Sequence, residues 1–202
     1  MFIELTDHLR CPADHDEAFL VLLPGPIIDR SVRSGTLGCL ACGREFPIVD
    51  GIAVFGSERT EKSERPRTRD NTGETVGAEA IAAFLGLTGP GGYIALVGDS
   101  ARFASGLVAL LPGVHVVAVN APVDVVESAA VSLLQAPSLP LKTGSLRGVV
   151  LGSDHEDLGW RADAARSVLP GLRVVGKGAP PGLSESLDLL ASAGGWWVGR
   201  RR

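Results

Sequence analysis

Apolar positions change their spacing about a third of the way along the chain. Up to residue 56 they come in short β-like runs separated by turn residues. The runs 19–23 and 27–32 flank Pro24-Gly25-Pro26, Ser34-Gly35 leads into Thr36-Leu37, and 46–55 folds about a turn at Asp50-Gly51. From residue 78 onward, helical periodicity alternates with unbroken apolar runs. The pattern predicts helices over 78–87, 101–111, 123–130, 161–169 and 183–193. It predicts strands over 93–97, 114–119, 131–135, 148–151, 172–175 and 196–198, several apolar on both faces. Such alternation implies an α/β fold with a parallel sheet and helices on both faces.

Between these patterns, 57–70 contains no aliphatic or aromatic residue apart from Pro66, and its Arg65, Arg67 and Arg69 are interleaved with Glu58, Glu61, Glu64 and Asp70. A segment of this kind buries little and reads as a mixed-charge tether. The expected organisation is therefore a small β-rich domain over 1–56, a charged linker over 57–77, and a helix–strand domain over 78–202.

The charge balance adds one exclusion. With a net charge of −4 over 202 residues, the chain is not held to nucleic acid by its global field, although local basic patches such as Arg200-Arg201-Arg202 remain. The opening residues Met1 to Asp7 lack a basic, then apolar, leader pattern, and the apolar stretch 106–126 is broken by Pro112, His115, Asn120 and Asp124. A cytoplasmic protein without membrane contact is the expectation.

All three cysteines fall within the first 42 residues, in Cys11-Pro12-Ala13-Asp14 and Cys39-Leu40-Ala41-Cys42. An odd, clustered set suits a metal knuckle in a reducing compartment better than a disulfide framework. Zinc needs four donors, and the fourth beside Cys11, Cys39 and Cys42 is Asp14 or His15. The structural alternative is three buried small hydrophobes and no metal.

The runs Leu9-x-Cys11-Pro12 and Gly35-x-Leu37-x-Cys39-x-x-Cys42-Gly43-Arg44-x-Phe46-Pro47-Ile48-x-Asp50-Gly51-Ile52-x-Val54 resemble the small zinc-ribbon activator subunit of tRNA, rRNA and release-factor methyltransferases. That resemblance covers about the first 56 residues. It implies a domain that lends a sheet edge, here 48–55, to a methyltransferase, so a methyltransferase or a second copy of the chain is the expected protein partner. The sequence departs from the four-ligand pattern at Asp14.

The second half resembles a class I S-adenosylmethionine (SAM)-dependent methyltransferase in three ordered stretches. These are Tyr93-Ile94-Ala95-Leu96-Val97-Gly98-Asp99-Ser100, Leu139-Pro140-Leu141-Lys142-Thr143-Gly144-Ser145-Leu146-Arg147-Gly148-Val149-Val150-Leu151, and 165–175. The resemblance implies SAM contacts at Gly98, Asp99, Ser100, Asn120 and Gln135. It also exposes departures: Ser100 and Arg102 stand at small-residue positions of the first loop, Asn120 at an acidic ribose-binding position, and Gln135-Ala136-Pro137 at an acidic adenine-side position. After the fourth strand of this half, Asp154-His155-Glu156-Asp157 offers His155 as a general base oriented by Asp154, or an acidic loop capping the next helix. The leading expectation is a non-catalytic binding protein with eroded SAM motifs. Its rival is an active SAM-dependent methyltransferase with a built-in activator.

Overall fold

The computed structural model describes residues 1–56, 76–180 and 186–202. Of the expected linker 57–77, all but the last two residues lie outside the described residues.

The first segment contains a 3-10 turn at Ile3–His8 and strands β1 (Leu20–Pro24), β2 (Ile27–Ile28), β3 (Ser31–Val32), β4 (Gly35–Cys39), β5 (Glu45–Val49) and β6 (Ile52–Val54). The rest supplies α1 (Ala78–Leu85), β7 (Tyr93–Val97), a 3-10 turn at Gly98–Phe103, α2 (Ala104–Leu110), β8 (His115–Val119), β9 (Val131–Gln135), β10 (Leu146–Leu151), α3 (Leu158–Ser167), β11 (Val168–Lys177), β12 (Leu187–Ala193) and β13 (Trp196–Arg201).

Eleven of these strands form one sheet in the order β1-β4-β5-β6-β9-β8-β7-β10-β11-β13-β12. Its centre, from β6 through β9, β8, β7 and β10 to β11, is parallel. Both flanks are antiparallel. Within it β9-β8-β7-β10-β11 follows the 3-2-1-4-5 order of doubly wound sheets, whose strand order reverses between the first and fourth strands. The expected α/β class with a doubly wound parallel sheet is therefore present.

The two segments are joined through that sheet. Strand β6 runs parallel to β9, pairing Ile52 with Leu133 and Val54 with Gln135, and the N–H of Phe55 donates to the carbonyl of Gln135 at 2.7 Å. Phe55 is fully buried against Phe46, with ring centroids 5.0 Å apart; burial of such a ring contributes about 1.5–3 kcal/mol. The strand pleat sorts the centre of the sheet into two cores. Ile94, Leu96, Val116 and Ala118 face α1 and α2, whereas Ala95, Val97, Val117 and Val119 share a cluster with α3 and with Leu5, Leu37 and Phe46 of the first segment. The first segment thus shares a core with the second.

Three expected elements differ. The run 27–32 is a hairpin of β2 and β3, because Asp29 and Arg30 adopt left-handed φ values of 48° and 65° and reverse the chain. No helix forms over 123–130, where Val123 and Val126 are exposed β-branched residues and Glu127 is drawn into an ion cluster. The described part of 183–193 is strand β12, hairpinned to β13 through Gly194 and Gly195 at φ 59° and 75°. Glycine at both turn positions is a hairpin signal that outweighs the helix-like spacing before it. Among the described residues no helix is long and apolar enough to cross a membrane.

Candidate functional site

In doubly wound sheets the ligand position is the crevice at the carboxyl ends of the strands where the order reverses. Here that place lies between the turn after β7 and the loop after β10, and the chain's own side chains fill it. Gly98, at φ 63°, has no room for a Cβ, which would overlap Asp154 Oδ1 and His155 Nδ1. The Asp99 carboxylate accepts the N–H and the hydroxyl of Ser153, each at 3.0 Å, while the Asp99 N–H donates to Asp154 Oδ1 at 3.1 Å. Ser100 is buried, its hydroxyl 2.9 Å from the carbonyls of Val97 and Val150, where it ties β7 to β10.

Asn120 leaves β8 at φ 53°, a left-handed conformation that asparagine tolerates. Its amide is bonded twice to the Ala136 backbone: Oδ1 accepts the N–H at 2.9 Å and Nδ2 donates to the carbonyl at 2.8 Å. This pairing fixes the amide orientation, so Nδ2 also donates to His155 Nε2 at 3.1 Å. The imidazole proton then sits on Nδ1, which lies 3.1 Å from Asp154 Oδ1 but without the alignment of a hydrogen bond. Trp160 meets the His155 ring edge-on at 4.8 Å. Burial pushes the Asp154 carboxyl up, yet His155 and the Asp99 N–H outweigh it and hold the group below its usual range.

The structure therefore brings Gly98, Asp99, Asn120, Asp154 and His155 into one closed network. Gln135 does not join it; its side chain is exposed and its carbonyl serves the pairing with Phe55. His155 lacks a free basic nitrogen in this arrangement, and Asp157 caps α3 by accepting the N–H groups of Gly159 and Trp160 at 2.9 and 3.2 Å. SAM does not fit these residues as they stand. The bare face of Gly98 is covered, and Asn120, the side chain expected to meet the ribose, is bonded to Ala136. Two cavities, of about 330 and 420 Å³, lie elsewhere; the smaller is lined by Tyr93 and His115 at the amino ends of β7 and β8.

The second candidate is the cysteine cluster. Cys11, His15, Cys39 and Cys42 present ligand atoms all within 4.8 Å of one another. Cys11 and Cys42 Sγ are 3.7 Å apart, and Cys39 Sγ is 3.6 Å from His15 Nε2. Tetrahedral zinc with Zn–S of about 2.3 Å places its sulfurs about 3.8 Å apart, so the donor set and these two edges fit that ion. His15 Nδ1 lies 2.6 Å from the carbonyl of Asp16, an orienting bond that leaves Nε2 facing the sulfurs. Burial pushes the Cys11 thiol up to about 11, whereas exposed Cys42, receiving the backbone N–H of Arg44, falls to about 7. Asp14 is exposed and outside the cluster. Of the two candidates for a fourth donor, the structure places His15 beside the sulfurs and Asp14 away from them, because the turn after Cys11 directs the imidazole back toward β4.

Two ion clusters join the segments, and neither was anticipated from sequence because their partners lie more than ninety positions apart. Glu127 accepts the Met1 ammonium at 2.6 Å, the Ser31 hydroxyl at 2.7 Å and Arg33 Nη1 at 2.5 Å, while the ammonium also donates to the carbonyls of Gly51 and Val32. Burial pushes the Glu127 carboxyl up, but these partners prevail and hold it below its ordinary range. On the opposite side Glu17 accepts the N–H and hydroxyl of Thr143, and Arg166 approaches it at 3.5 Å.

The tail is engaged. Trp197 is fully buried and Trp196 packs beside Phe84 and Phe103. Arg200 and Arg202 pair with Asp188, and Arg201 donates to the carbonyls of Arg166 and Val168. The three arginines end a β-hairpin whose register sets them against these partners, with Arg200 and Arg202 exposed to solvent.

No protein-family model matches the sequence, and no curated protein matches it. Solved structures similar to it include a geranyl diphosphate methyltransferase in complex with SAM, at 18% identity over 49% of this chain and 46% of that one, TM-score 0.41. A chain of the complex between the Haloferax volcanii Trm112 methyltransferase activator and a methyltransferase matches at 13% identity over 48% of this chain and 50% of that one, TM-score 0.39. A SAM-dependent methyltransferase from Mesorhizobium loti matches at 15% identity over 62% and 75%, TM-score 0.38. The chain spans less than half the length of the geranyl diphosphate enzyme. Likeness at this level assigns no activity.

Proposed function

We propose that the chain is a methyltransferase-fold protein that acts by binding and no longer uses SAM. A zinc-ribbon-like segment over 1–56 braces a methyltransferase-like domain over 78–202 of the same chain. The observation that carries this reading is Asn120. A ribose-binding carboxylate offers two acceptor oxygens, whereas this amide is neutral, its single oxygen already accepts the Ala136 N–H, and its nitrogen is committed to the Ala136 carbonyl and His155.

The sheet supports the second half of the proposal. The strand expected to contact a methyltransferase contains β6, and β6 is already paired with β9 of its own chain. A protein partner therefore meets another surface, and the segment serves its own fold first. Zinc, held by Cys11, His15, Cys39 and Cys42, would supply a structural cross-link where the hydrophobic core of 1–56 is small.

The test is calorimetric titration of the full chain with SAM and with S-adenosylhomocysteine, alongside thermal melting. A ligand at one hundred times its dissociation constant adds about 2.7 kcal/mol of stability. Absence of heat and of any melting shift at millimolar ligand is expected. Saturable micromolar binding would refute the proposal and restore the rival, an active methyltransferase.

A further inference from the structure

Two side chains of the loop after β10 make the kinds of bond that a ligand would make. The Asp154 carboxylate covers the bare Cα of Gly98 and accepts the backbone N–H of Asp99, from the turn after β7, at 3.1 Å. The His155 imidazole accepts the Asn120 amide, at the end of β8, at 3.1 Å and rests against the Trp160 ring. A carboxylate thus takes the first-loop N–H and a ring nitrogen takes the amide at the end of the next strand, the two groups standing side by side 3.1 Å apart.

We propose that residues 152–157 form an intramolecular pseudo-ligand, in which Asp154 and His155 occupy the strand-reversal crevice and exclude small molecules that would bring a carboxylate to the Asp99 N–H and a second acceptor to the Asn120 amide. This rests on the reading that the chain does not use SAM, and supplies its cause. Because the pseudo-ligand is tethered, it competes at a high effective concentration and keeps the crevice closed to dilute ligand. Its hold is incomplete: His155 Nδ1 and Glu156 Oε1 are buried without hydrogen-bond partners. A closed state with unsatisfied polar atoms is one that an outside ligand can displace once the competing side chains are removed.

The experiment titrates S-adenosylhomocysteine into the full-length chain, wild type and the double variant Asp154→Ala/His155→Ala, with thermal melting to show that both are folded. The wild type is expected to give no saturable heat at millimolar ligand, and the double variant to bind at least about tenfold more tightly than the wild-type limit. His155→Phe, which keeps a ring against Trp160 but removes the acceptor, is expected to show a smaller gain. A silent wild type with folded but equally silent variants overturns the pseudo-ligand and leaves the proposed function standing. Micromolar binding by the wild type overturns both. If neither variant folds, the loop is a structural closure and the pseudo-ligand is likewise overturned.

Discussion

Replacing Asn120 by aspartate would supply the acidic residue that the resemblance to SAM-dependent methyltransferases implies at this position, yet the structure predicts damage. The substitution keeps the side-chain volume and the left-handed φ of 53°, which aspartate tolerates as well as asparagine. It removes both bonds donated by Nδ2, to the Ala136 carbonyl at 2.8 Å and to His155 Nε2 at 3.1 Å. The bond accepted from the Ala136 N–H survives. Each lost bond costs about 1 kcal/mol net, and the stranded acceptors, now facing a carboxylate, bring the total to about 2–4 kcal/mol. For a chain of this size that is a fall of roughly 10 °C in melting temperature. Far-ultraviolet circular dichroism melts at neutral pH read this directly, with S-adenosylhomocysteine titration of the folded variant in parallel. A variant that melts within about 2 °C of wild type, or that gains nucleoside binding, would show that Asn120 is not committed to the backbone as described.

Glu127→Gln should cost about 2 kcal/mol at neutral pH, less than a fully buried pair because the Met1 ammonium keeps the Gly51 and Val32 carbonyls. Since the folded-state pKa of Glu127 is depressed, its contribution is complete above the ordinary carboxylate range and fades as pH falls through the folded value. The stability curves of wild type and variant should therefore converge in acid, and a constant gap down to low pH would contradict the ion cluster. At the cysteine cluster, purified protein should retain one zinc after gentle dialysis. His15→Ala should lower zinc affinity at least about tenfold in chelator competition while Asp14→Ala leaves it unchanged, and the reverse order would return the fourth ligand to Asp14.

Much of the strand framework is legible in the residues: burial on both faces leaves the unbroken run 93–97 that coincides with β7, and 131–135, though interrupted by Ser132 and Gln135, coincides with β9. The hairpin of β5 and β6 is equally plain from Asp50-Gly51, whose φ values of 51° and 83° suit a two-residue turn. Less visible was β12: the spacing of its leucines resembles a helix, and pairing with β13 decides otherwise. Site residues divide in the same way. The cysteine spacing marks three candidate metal donors, but a one-residue choice between Asp14 and His15 depends on where a turn points its side chains.

The features legible along the chain are local and periodic: turn residues, cysteine spacing, runs apolar on both faces, and the residues at Ser100, Asn120 and Gln135 that differ from the pattern the chain resembles. These follow from steric and hydrophobic preferences acting within a few residues. Only the tertiary structure decided that β6 lies on β9 of the same chain, that Glu127 reaches the Met1 ammonium, and that Asp154 and His155 fold over Gly98. Those contacts join groups 55 to 126 positions apart in chain number, and nothing in local preference ranks such pairs. They are selected when the sheet closes, because burial then penalises every polar group that fails to find a partner.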